Sequence, residues 1–140
     1  MPKNCTVSEI EKMFYTVGFG SVPSWLKPYS VLSNGEKMRV DLARALLERD
    51  FIVFDEFTSV VDRNVAKTAS IAISNAIRKL GKRFIAVTCH SDILEWLQPD
   101  WQFCTDTMSG SFTNPHDRKR LSASEVVGST SGASLASITI

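Results

Sequence analysis

Residues 51–62, Phe-Ile-Val-Phe-Asp-Glu-Phe-Thr-Ser-Val-Val-Asp, drive four apolar side chains straight into two adjacent carboxylates, Asp55 and Glu56, and end on a third, Asp62. Carboxylates at the carboxyl end of a buried strand suit a site for a metal ion and a water molecule, because open α/β sheets place their ligands there. They also suit a plain structural role, since Asp and Glu are good turn and helix-capping residues. A second candidate, His90, follows the next apolar run, Arg83 to Thr88. Whether these groups form one site depends on the elements that carry them.

Those elements can be read from periodicity and caps. Apolar residues at Val7, Ile10, Phe14 and Val17 draw one stripe on a short helix over 7–17. Gly18, Gly20, Pro23 and Pro28 then predict a loop. Ser33 and Glu36 form an S-x-x-E capping box ahead of a helix over 36–49, with Met38, Leu42, Ala45 and Leu46 as its apolar positions. Phe51 to Phe54 form a continuous apolar strand of the kind covered on both faces. A second long helix fits 63–80, with Arg78 and Lys79 in its last turn and Gly81 as C-cap. The strand over 83–88 completes a strand–helix–strand unit, whose right-handed crossover sends both strand ends to one edge of a parallel sheet. Asp55, Glu56 and His90 are thereby expected at that edge. A short helix over 92–98 has Ser91 as its candidate N-cap and Pro99 as its stop, and residues 100–112 read as a hairpin turning at Ser109 and Gly110.

The totals set limits. A chain of 140 residues is one domain at most. Sixteen Lys and Arg against fifteen Asp and Glu give a net charge of +1, so no basic surface announces a nucleic acid. Cys5, Cys89 and Cys104 are odd in number and lack C-x-x-C spacing, which argues against a zinc site or a disulfide framework and for reduced thiols, with a cytoplasmic location expected. No apolar run approaches membrane-spanning length, so no direct membrane insertion is expected. Beyond 113 the residues are rich in Ser, Thr and Gly with little periodicity, and 114–140 is expected to be a flexible tail. The His-Asp-Arg-Lys-Arg cluster at 116–120 reads as a solvated charge run.

Taken in order, Leu-Ser-Asn-Gly-Glu at 32–36, the helix that follows, Asp55-Glu56, Ser-Val-Val-Asp at 59–62 and His90 resemble the C-terminal half of an ABC-type ATPase domain. That family carries a signature of the form LSGGQ, a Walker B strand ending in Asp-Glu, a D-loop of the form SALD and a switch histidine. Asn34 stands for the first glycine of the signature and Glu36 for its glutamine. Asn tolerates left-handed backbone, which makes the first exchange mild. The stretch from Trp96 to Phe112 also resembles a subgroup of soluble ABC ATPases, some of them fused to acetyltransferase-like domains.

The resemblance implies an α/β fold of the P-loop NTPase type over residues 1–113, built on a parallel sheet with flanking helices and a C-terminal hairpin. It implies ATP and Mg²⁺ as cofactors. Ser33, Asn34, Gly35 and Glu36, with Asp62, would meet nucleotide in a dimeric sandwich, and a helix N-terminus at Ser33 suits a phosphate. Asp55 would hold Mg²⁺, Glu56 would orient or deprotonate the attacking water, and His90 would contact the γ-phosphate.

Two parts of the family pattern are missing, the P-loop and the glutamine loop. No GxxxxGK[ST] occurs: Gly81-Lys82 is followed by Arg83, and Ala76 stands where the first glycine belongs. Without a P-loop to cradle phosphate, the chain is expected to be inactive alone and to need a second ABC ATPase subunit or an N-terminal half that supplies one. It is expected to be a truncated reading frame or a split product. The alternative is a non-catalytic interaction module derived from an ABC ATPase.

Overall fold

The structure is a computed structural model that describes residue 2, residues 4–112 and residues 134–138. Helix α1 (Val7–Thr16) starts with a capping box between Thr6 and Glu9. Where a loop was expected, a short helix α2 (Val22–Trp25) and a 3₁₀ turn (Tyr29–Val31) form instead. Pro23 explains the first of these, because its fixed φ suits the opening turn of a helix. Trp25 fastens it, donating its indole N–H to the carbonyl of Phe19 at 2.8 Å and packing against Phe14 and Tyr15.

Helix α3 (Asn34–Glu48), strand β1 (Phe51–Phe54), helix α4 (Arg63–Leu80) and strand β2 (Arg83–Thr88) follow in the expected order. β1 and β2 are parallel, with Phe51 opposite Arg83 and Phe54 opposite Ala86. Helix α5 (Ile93–Leu97) takes Asp92 as its N-cap residue, without a side-chain capping bond, rather than Ser91. The hairpin pairs β3 (Trp101–Cys104) with β4 (Ser109–Phe112), so Ser109 and Gly110 lie in a strand and the turn is at 105–108.

Within the stretch 114–140, expected to be a flexible tail, residues 134–138 form strand β5. It pairs antiparallel with both β2 and β3, giving the order β1-β2-β5-β3-β4. Five residues are too few for a periodic signal to stand out, and Ser and Ala at 134, 136 and 137 hide what alternation there is. The rest of that expectation, and the charge run at 116–120, lie outside the described residues. The fold is therefore mixed α/β, with one parallel pair in an otherwise antiparallel sheet.

A single core joins the helices to one face of β1 and β2. Ile52, Phe84 and Ala86 meet Leu42 and Leu46 of α3, Ile73 and Ile77 of α4, and Leu97 of α5 in one buried cluster. Small residues at Ala66, Ala69 and Ala76 let α4 lie close, and the Ser74 hydroxyl ties it to α5 by donating to the carbonyl of Leu97 at 2.7 Å. Full burial of each large aliphatic side chain here contributes about 1.5–3 kcal/mol. The opposite face differs from the sequence expectation. Phe51 and Val53 are 48% and 57% exposed, so β1 is covered on one face only among the described residues.

Candidate functional site

The first turn of α3 is built by reciprocal capping. Ser33 Oγ accepts from the Glu36 N–H at 3.3 Å, and Glu36 Oε2 accepts from the Ser33 N–H at 2.8 Å. Hydrogen bonds from the Ser24 hydroxyl and from the Ser33 amide and hydroxyl, with Lys27 nearby, lower the Glu36 carboxyl to about 2. Glu36 is thus held as an anion at the surface, between Ser24 of α2 and the start of α3. Ser33 and Asn34 are exposed beside it. Asn34 opens the helix and is not among the residues of positive φ, so its tolerance of left-handed backbone is not called upon. The opening N–H groups of any helix lack intrahelical acceptors, which leaves this end electropositive.

Gly35 brings this turn against α4. The nearest side-chain atom to a Cβ built there is Val65 Cγ1, at 3.0 Å. The two helix starts therefore adjoin, and Arg39 lies with them. Burial lowers the Arg39 guanidinium from its usual value, while the carboxylates of Glu36 and Asp62 act against that. Asp62 itself is the N-cap of α4, accepting from the N–H groups of Asn64 and Val65 at 3.0 and 3.1 Å.

The end of β1 is a strained turn. Asp55 accepts from the Glu56 N–H at 2.8 Å. Glu56 and Thr58 have φ of 50° and 66°, which is uncommon for Glu and an outlier for β-branched Thr. Phe57, between them, overrides that cost. It is fully buried, its ring stands edge-on to Phe54 and Phe84, and its N–H donates to the carbonyl of Val87 at 2.8 Å. Driving Phe57 inward turns Asp55 and Glu56 outward, and both are exposed. Strain held in place by packing collects at functional sites.

His90 lies two residues past β2, at the same edge of the parallel pair as Asp55 and Glu56. Its backbone N–H donates to Thr88 Oγ1 at 3.2 Å. Sequence reasoning missed the groups around it. Arg63 makes a two-point ion pair with Asp92, and its guanidinium lies 5.2 Å from the centre of the Trp96 ring. Arg63 and Asp92 are 29 residues apart, and no local pattern announces such a pair.

The structure thus gathers the expected residues at two places. Ser33, Gly35 and Glu36 adjoin Asp62 at the paired helix starts, and Asp55, Glu56 and His90 share a sheet edge. Among the described residues no group of three His, Cys, Asp or Glu side chains could hold a metal by itself. Magnesium keeps much of its water and is held through one or two carboxylates together with substrate phosphates, for which the exposed Asp55 is suited.

Comparison with known proteins finds chains of similar sequence. The chain is 42% identical over 60 residues to the spermidine/putrescine import ATP-binding protein PotA of Trichormus variabilis, covering 42% of this chain and 16% of the relative. It is 37% identical over 65 residues to the methionine import ATP-binding protein MetN of Clostridioides difficile, covering 46% and 20%. It is 30% identical over 96 residues to the methionine import ATP-binding protein MetN 2 of Yersinia pestis bv. Antiqua, covering 68% and 29%. This likeness supports the ABC ATPase family. The matches span less than a third of the length of each of these relatives. No family model matches, and no solved structure matches. No helix among the described residues is long and apolar enough to cross a membrane.

Proposed function

We propose that this chain supplies the signature helix, Walker B strand, D-loop and switch histidine of an ABC-type ATPase whose P-loop is carried elsewhere. The observation that carries the reading is the exposed Asp55-Glu56 pair, held on a strained turn at the end of a parallel strand, in a chain similar to import ATP-binding proteins. The α3 start, with Ser33 and Asn34 exposed, offers N–H groups and a positive dipole end to a phosphate held by a second subunit. Glu56 orients the attacking water and takes its proton, and His90 contacts the terminal phosphate. Asp55 is the residue to hold Mg²⁺, which when bound neutralises charge on the phosphate oxygens. Among the described residues the face of β1 that carries Phe51 and Val53 is uncovered, and a further layer over it would fit this reading, because parallel strands are ordinarily covered on both faces.

The same face also favours the second reading, a module that binds a protein partner without turning over nucleotide. Nucleotide dependence separates the two. Mixed with a P-loop-bearing N-terminal half, the chain should give Mg²⁺-dependent ATP binding that neither piece shows alone. Ser33→Arg should block it by filling the phosphate position, and Glu56→Gln should keep binding and stop hydrolysis. Association that ignores ATP and both substitutions would leave the interaction module as the better account.

A further inference from the structure

We infer that Arg63 is a positioning residue for His90, acting through Asp92 and Trp96. This rests on the reading above for what His90 does, but the restraint itself is a property of the chain alone. Arg63 Nε donates to Asp92 Oδ2 at 2.9 Å and Nη2 donates to Oδ1, a fork-on-fork pairing that only a planar guanidinium makes. The guanidinium also stacks over Trp96.

Asp92 precedes α5 with helical backbone, φ −64° and ψ −21°, not the extended conformation from which a side chain caps a helix, and it makes no capping bond. Its carboxyl, lowered chiefly by the hydrogen bond from Arg63, is committed across 29 residues of sequence. Both side chains of the pair are partly exposed, 41% and 42%, while Arg63 Nη1 lies buried without a hydrogen-bond partner among the described residues.

The consequence falls on the loop between β2 and α5. Its near end is held by the bond from the His90 N–H to buried Thr88, and its far end by Asp92. The His90 ring, between them, makes no hydrogen bond to a described residue and stays available to a ligand. Arg63 follows directly on Asp62, which adjoins the start of α3 through Arg39. The first turn of α4 is thus the point to which both the α3 start and the His90 loop are tied.

The test uses the full chain. In Arg63→Met, amide hydrogen exchange at residues 89–92 should accelerate about ten-fold while the core strands keep their protection, as expected of a local opening. Asp92→Asn, which breaks the same pair from the other side, should do likewise. Arg63→Lys should restore less than half of the lost protection, and Arg44→Met, which breaks the exposed Arg44–Glu48 pair, should change nothing at 89–92. Unchanged exchange at 89–92, or equal acceleration throughout the chain, overturns the positioning role.

A second readout uses the chain mixed with a P-loop-bearing half. Arg63→Met should lower kcat about ten-fold with nucleotide affinity unchanged, and the Arg63→Met/His90→Ala double variant should be no slower than His90→Ala, since residues acting as one unit are not additive. Normal turnover in Arg63→Met overturns the inference and leaves the ATPase reading standing. Absence of turnover in the wild-type mixture defeats the ATPase reading, while the exchange result still decides whether Arg63 restrains the loop.

Discussion

A Cβ added at Gly35 would stand 3.0 Å from Val65 Cγ1, so the first turns of α3 and α4 meet with no room for a methyl group between them. Two effects oppose each other there. Gly to Ala in a helix is ordinarily favourable by about 0.5–1 kcal/mol, but Val65 is β-branched and stiff at χ1, so it yields poorly. Gly35→Ala should therefore lower the thermal midpoint in the wild-type background and raise it when Val65 is first replaced by Ala. A double-mutant cycle by thermal denaturation checks this, and additive effects would mean the two helix starts do not press on each other.

The acid limb of stability should carry the mark of Glu36. Its folded value of about 2 lies below the ordinary value of 4.5, so its contribution is present above pH 4.5 and is lost as pH falls towards about 2. Glu36→Gln keeps an acceptor for the Ser33 N–H but cannot titrate. The stability gap between wild type and Glu36→Gln should be constant above about pH 5 and close between that and about pH 2, measured by urea denaturation across the range. Glu9 and Asp92 are also lowered, and they affect both proteins equally, so the difference isolates Glu36.

These two cases show what is legible in a sequence. The Ser33–Glu36 box, Gly81 as C-cap and the order of β1, α4 and β2 can all be read, because each depends on residues within a few positions of one another. The Thr6–Glu9 box carried the same S/T-x-x-E signal, and α2 the proline that opens it, behind a cluster of turn residues. The Gly35–Val65 contact, the Arg63–Asp92 pair and the insertion of β5 between β2 and β3 join residues far apart in the chain, and tertiary packing alone decides them. The same holds for the exposure of Phe51 and Val53 on β1 among the described residues, since an apolar run tells that a strand wants burial and not whether it obtains it. For the candidate site, Asp55, Glu56 and His90 can be proposed from the sequence, whereas the residues packed around them, Phe57, Arg39, Arg63 and Trp96, cannot.

Phe57 should prove the main anchor of the turn that presents Asp55 and Glu56. It is fully buried against two other rings, so Phe57→Ala should cost about 3–5 kcal/mol. Phe57→Leu should cost less and let the folded state be studied. In that variant, exchange at residues 56–60 should rise more than in α3, because the side chain that compels the turn has lost its fit while α3 keeps its own cap. Uniform loss of protection would show that Phe57 serves the core as a whole and not the turn.

Glu56 offers the sharpest separation of stability from function. Its φ of 50° is a conformation that glycine adopts freely and that costs other L-residues roughly 1–2 kcal/mol. Its side chain is exposed, so little packing is lost on removing it. If the carboxylate were only a turn residue, Glu56→Gly would be an improvement with no penalty. On the catalytic reading the strain is retained because the carboxylate must stand at that position, and relief of strain must cost activity. Glu56→Gly should therefore stabilise the chain by about 1 kcal/mol, after allowance for the greater freedom of glycine when unfolded, and abolish ATP hydrolysis in the mixture with a P-loop-bearing half. Thermal denaturation and steady-state turnover on the same preparation provide both numbers. A stabilised variant with full turnover would remove Glu56 from the catalytic assignment, and a destabilised one would show that the turn depends on a Glu56 contact beyond its backbone.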